Sequence, residues 1–106
     1  MSTNMSIPKQ LETLTTLYQH GYKSDLIEQS LSKIINLELL HAHEQATHLR
    51  NKLSTYESQY KMDSEQFYEK FMAGTLGDAM DFFEWISFYE MWHSVQERIK
   101  VLGHSS

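Results

Sequence analysis

The chain has 106 residues, of which 41% are hydrophobic and 22% charged, with one proline, four glycines and no cysteine. This composition is typical of a globular protein with long regular elements. It excludes a disulfide framework and fits a reducing, cytoplasmic location. The formal net charge of −5 does not suit a phosphate-neutralising surface, so no direct nucleic acid binding is expected. No apolar run approaches the roughly 20 residues that cross a bilayer, and the N-terminus lacks the apolar core of a secretory signal.

The first predicted element is a helix over residues 8–20. Pro8 suits a first turn, because its missing N–H is not needed there, and Gly21 suits a left-handed helix end. Apolar side chains recur at helical spacing along one face, at Ile7, Leu11, Leu14 and Tyr18. Ser24 or Asp25 is expected to cap the next helix.

A long helix is predicted over residues 24–60. Its apolar side chains alternate at spacings of four and three, at Ile35, Leu39, Ala42, Ala46, Leu49, Leu53, Tyr56 and Tyr60. This heptad seam indicates knobs-into-holes packing. A helix of this length measures about 55 Å, so it needs a second long helix beside it to bury the seam.

Two further helices are predicted, over residues 64–73 and 79–102. Asp63 and Gln66 have the spacing of a capping box, and Met62 and Phe67 that of a hydrophobic staple. Gly74 is expected to end the short helix, and Asp78 to cap the last one. A second heptad seam follows at Trp85, Phe88, Trp92, Val95, Ile99 and Leu102.

These elements predict an all-α fold with no strand, formed by a single domain over residues 1–106. Residues 35–60 and 82–102 should form a long antiparallel, coiled-coil-like helical hairpin. The short third helix is its elbow, and the short N-terminal helix over residues 8–20 packs nearby.

Aromatic and acidic side chains are concentrated together in residues 67–93, which hold nine of the thirteen aromatic residues and five acidic ones. Trp85, Phe88 and Trp92 are explained as core. The remaining rings exceed what one antiparallel neighbour can bury, and exposed aromatic surface with a polar rim is typical of an interface. The expected partner-binding residues are Asp78, Asp81, Phe82, Phe83, Glu84, Trp85 and Tyr89. Their acidic character favours a basic protein partner.

Catalytic and metal-binding patterns are weak. His41, Glu44 and His48 project from one helical face, but their spacing differs from HExxH, and a solvated polar face explains them better than a metal site. There is no glycine-rich phosphate loop and no cysteine nucleophile. The chain is therefore expected to be no enzyme and to need no metal or cofactor.

Residues 55–102 resemble a family of small all-helical bacterial and cyanobacterial antitoxin-like proteins of toxin–antitoxin pairs. The pattern joins Tyr60 and Met62, then Ser64 with Phe67 and Tyr68, then Gly74 to Asp78, and finally Asp81 to Trp85. Lys61 stands where the pattern has glycine. The resemblance implies a cytoplasmic protein that binds and neutralises a cognate toxin, often an RNA-cutting enzyme. The alternative is a self-associating helical scaffold protein, a homodimer without a toxin partner, since the long seam would also suit two copies.

Overall fold

The computed structural model describes residues 5–104, and within this range the chain forms four helices and no strand. They are α1 (Ile7–Gln19), α2 (Asp25–Tyr60), α3 (Ser64–Met72) and α4 (Met80–Gly103). The all-α prediction is confirmed, with helix ends within a residue of those expected. The described residues fall into two compact units, one up to Lys33 and one from Ile34 onward. The single domain remains a prediction.

The first unit is a helical turn held by tyrosine. Ser6 caps α1 by accepting a hydrogen bond from the backbone N–H of Lys9, and Gly21 takes a φ of +90° just beyond the helix. The Tyr18 hydroxyl then accepts from the backbone N–H of Ser24 at 3.0 Å and donates to Glu28 at 2.8 Å. The Ser24 hydroxyl accepts from the backbone N–H of Ile27, which resolves the predicted capping choice in favour of Ser24.

The second unit is the predicted hairpin of α2 and α4. The residues of both seams are buried or half-buried, which confirms them. Ala42, Ala46, Leu49 and Val95 form one buried cluster, and Leu53, Phe67, Trp85 and Tyr89 form another nearer the elbow. The two alanines are buried, at 0% and 7% exposure.

The elbow between α2 and α3 depends on one unusual backbone conformation. Lys61 has a φ of +56°, in the left-handed region that glycine adopts most easily. Asp63 then caps α3 by accepting from the backbone N–H of Gln66 at 2.8 Å, as predicted. Gly74, with a φ of +74°, follows the end of α3.

The predicted cap of α4 is wrong. The N-cap residue is Ala79, whose backbone is extended, and no side chain caps this helix end. Asp78 lies one residue before the cap position, too early in the chain to serve as the N-cap. Asp81 does lie in the first turn, where its negative charge favours the positive end of the helix dipole.

Candidate partner-binding site

Trp85 is the centre of the core near the elbow and is not accessible to a partner. Its side chain is fully buried. The ring of Phe67 lies parallel to it with centroids 3.8 Å apart, and the rings of Tyr56 and Tyr60 stack on it at 5.6 and 5.7 Å. Its seam position is therefore confirmed, and its inclusion among the partner-binding residues is wrong.

A polar network joins three helices beside Trp85. The Trp85 indole donates to the Ser64 hydroxyl at 2.9 Å, and that hydroxyl donates to Glu57 at 2.7 Å. The backbone N–H of Ser64 donates to the same carboxylate, and Arg50 forms an ion pair with it. Burial favours a higher pKa for Glu57, but the hydrogen bonds from Arg50 and Ser64 outweigh it and hold the pKa below its ordinary value.

Sequence reasoning missed this network. The available signal was an acidic residue on the buried side of α2, at Glu57, within two turns of a predicted helix start. Because Glu57 satisfies the first backbone N–H of α3, it acts as a cap supplied from another helix. The network therefore fixes the elbow helix against α2 and α4.

Two of the predicted acidic contact residues are held by tyrosines of α2. The Tyr60 hydroxyl donates to Asp81 at 2.8 Å, and the Tyr56 hydroxyl donates to Glu84 at 2.7 Å. Burial and the hydrogen bond to Glu84 raise the pKa of Tyr56 to about 12. For Tyr60, the bond to Asp81 and then burial raise the pKa of the hydroxyl. These carboxylates tie α4 to α2, although Glu84 itself remains exposed.

Among the other predicted contact residues, Phe83 remains open to solvent. Its side chain is 51% exposed and meets Phe71 edge to face at 5.7 Å. Phe82 is half-buried between Tyr60 and Phe67, and Asp78 is exposed. The expectation of surplus aromatic surface is thus confirmed for Phe83.

Tyr89 was expected to be accessible, and this was wrong, since it is only 8% exposed. Tyr68 of α3 packs against it with centroids 5.1 Å apart. The reasoning from a single antiparallel neighbour did not count α3, which lies against α4 and covers a second side of it. Rings that α2 alone could not bury are buried by the elbow helix.

A groove opens where this cover ends, and we call it the Tyr89 groove. It has a volume of about 510 Å³ and is lined by Tyr68, Tyr89, Glu90, His93, Ser94 and Glu97. His93 meets the Tyr89 ring edge to face at 4.6 Å. Burial raises the pKa of Tyr89, and the nearby charges of Glu65, Asp63 and Glu69 raise it further. An aromatic floor is therefore surrounded by carboxylates from both α3 and α4.

This arrangement offers a cation two kinds of favourable contact. Carboxylates attract a guanidinium or ammonium group, and aromatic faces bind such groups through their quadrupole. Glu90 and Glu97 are exposed on α4 and lie seven residues apart, so they point the same way at a separation of about 10 Å along the helix. Phe83 extends the same line by another seven residues. This repeat of Phe83, Glu90 and Glu97 was the signal in the sequence that could have revealed the groove.

The histidine-bearing face of α2 shows no metal centre. His41, Glu44 and His48 are all exposed. Across residues 5–104, no three His, Asp or Glu side chains are grouped closely enough to hold a metal ion. Nor does any helix in that range combine the length and apolar character needed to cross a membrane.

The chain was compared with protein-family models, with curated proteins and with solved structures, and none of the three comparisons gave a match. The geometry of the second unit is therefore the basis for a functional assignment.

Proposed function

We propose that the protein is a non-enzymatic protein-binding module that holds a basic segment of a partner in the Tyr89 groove, in the manner of an antitoxin that neutralises its toxin. The observation that carries the proposal is the aromatic floor of Tyr68 and Tyr89 beside the exposed carboxylates of Glu90 and Glu97. The resemblance of residues 55–102 to antitoxin-like proteins supplies the partner class.

Charge supports a basic partner. From residue 34 onward the sequence has six lysines and arginines against eleven aspartates and glutamates, which accounts for the whole net charge of −5. Such a field steers a basic protein toward this unit and speeds its association, and it disfavours acidic partners. The effect weakens as salt screens the charges, so binding should be salt-sensitive.

Local chemistry defines the expected contacts. An arginine of the partner can place its guanidinium against the half-buried ring of Tyr68 while it pairs with Glu90, and a second basic residue can pair with Glu97. Phe83, half exposed in the same line of α4, supplies an apolar anchor. Buried aromatic anchors surrounded by polar contacts carry much of the energy in protein interfaces.

The test is co-expression of the chain with the product of a neighbouring small basic reading frame. The proposal expects that product to be toxic alone and harmless with the chain. The double substitution Glu90→Lys and Glu97→Lys should abolish both rescue and binding in titration calorimetry. A matched control, Glu38→Lys with Glu44→Lys on the exposed face of α2, changes the net charge equally and should preserve both.

Two outcomes would count against the proposal. One is a toxic product that the chain neither binds nor neutralises. The other is equal loss of binding in the groove variant and the α2 variant, because a general charge effect would then explain the interaction without the groove.

A further inference from the structure

The first unit is a helical hairpin without a core, formed by residues 7–33 and called here the N-terminal hairpin. None of the described residues 5–33 is buried. Between α1 and the start of α2 lies an open groove of about 450 Å³, lined mainly by apolar groups: Leu11, Leu14, Thr15, Tyr18, Gln19, Ile27, Glu28 and Leu31. Ile7 continues the apolar face of α1 and is 66% exposed, and Leu11 is 50% exposed.

We propose that the N-terminal hairpin is a dimerisation element that packs against the same hairpin of a second copy. Four helices, two from each chain, would then enclose the aliphatic side chains that one hairpin leaves in water. The inference uses none of the residues of the Tyr89 groove and does not depend on the proposed function.

The hairpin has local order but little reason to be stable alone. The Tyr18 hydroxyl bonds to Ser24 and Glu28 and thereby sets the angle between the helices. However, α1 has only 13 residues, and isolated helices of that length are marginal in water. Most helical stability comes from burying an apolar face, and here the face is formed but not covered.

Charge favours a second copy as the cover. The sequence up to Lys33 has three lysines, three acidic residues and therefore no net charge, whereas the rest of the chain carries −5. Two copies repel each other through their acidic parts but not through their hairpins. A twofold interface also requires one surface to complement itself, and a neutral apolar groove meets that requirement.

The available area sets the expected strength. An aliphatic side chain that is fully exposed before association withdraws on the order of 100 Å² of apolar surface from water when it is buried. The partly exposed aliphatic residues of the groove, with Ile7, therefore offer a few hundred Å² per copy. Specific interfaces bury about 800 Å² per partner, of which somewhat more than half is non-polar. This places the dimer at the lower end of the stable range, so we expect micromolar dissociation.

Sedimentation equilibrium of the full chain over a range of concentrations tests the proposal. We expect a mass that rises from monomer to dimer with concentration. Leu11→Gln with Leu31→Gln should raise the dissociation constant at least about a hundredfold, because four aliphatic contacts per dimer are lost. The matched control is Leu37→Gln with Leu40→Gln, two leucines exposed elsewhere on α2, and it should leave the constant unchanged.

Crosslinking keeps the test decisive if the double variant disturbs the helices. The chain has no cysteine, so a single introduced one reports contact between copies. Thr15→Cys, in the groove, should form a disulfide-linked dimer on mild oxidation. Ser58→Cys, exposed in the second unit, should not.

Three results would overturn the proposal: a monomer at every concentration, a dimer lost in the control pair and kept in the groove pair, or equal crosslinking at both cysteines. A monomer whose hairpin binds an apolar helix of another protein would equally exclude the second copy. Glu90→Lys with Glu97→Lys should leave the dimer intact, so failure of the partner-binding proposal is seen separately.

Discussion

Replacing Lys61 by glycine should stabilise the protein. Lys61 connects α2 to α3 with a φ of +56°, and its side chain is exposed. An L-residue in this left-handed region costs about 1–2 kcal/mol, which glycine avoids because it has no Cβ. Part of that gain is lost, because glycine makes the unfolded chain more flexible and raises the entropic cost of folding by about 0.5–1 kcal/mol. The expected net gain in the free energy of unfolding is about 0.5–1 kcal/mol.

Thermal and urea unfolding of Lys61→Gly measure this gain. For a domain of this size it corresponds to a rise in Tm of roughly 2–6 °C. Lys61→Ala is the matched control, because it removes the same charge and flexible side chain but keeps the Cβ. If the glycine variant is no more stable than the alanine variant, the left-handed backbone at Lys61 is not a cost and the reasoning fails.

The remaining predictions concern the ties between the helices. Ser64→Ala should lower the free energy of unfolding by about 2–4 kcal/mol, because the buried indole N–H of Trp85 loses its acceptor and a hydrogen bond to the Glu57 carboxylate is lost. Denaturant unfolding measures this loss, and a value below about 1 kcal/mol would contradict the prediction. The pKa of Glu57 in the folded protein is lowered from 4.5, so the contribution of its carboxylate to stability is present above that pH and lost as pH falls. Glu57→Gln should therefore reduce the acid dependence of the unfolding free energy. An unchanged dependence would refute the stabilising role given to the Glu57 carboxylate. The pKa of Tyr56 is raised from 10.0 to about 12, so the contribution of its hydroxyl to the free energy of unfolding is present below pH 10 and lost as pH rises toward 12. Tyr56→Phe should reduce the loss of stability at alkaline pH, and it should remove the tyrosinate absorbance step at the highest pH.

The fold and the candidate site were predictable to different degrees. Helix content and the hairpin pairing follow from spacing along the chain, since the alternation of four and three on α2 and α4 describes local geometry. The cap at Asp63 is also local and was predicted. The cap at Asp78 failed although it rested on the same kind of rule, because its place depends on the residue at which α4 begins, and helix boundaries shift by a residue without changing the apolar pattern.

By itself, the sequence determined that the protein is all-helical, which faces of α2 and α4 pack together, and that negative charge accumulates beyond residue 34. These properties depend on the order and type of side chains within one helix. Only the tertiary structure decided that α3 covers Tyr89, that tyrosine hydroxyls hold Asp81 and Glu84, and that Glu57 caps a different helix. Each of these contacts joins residues distant in the chain, and their distances depend on how three helices meet at the elbow, which no periodicity within a single helix specifies.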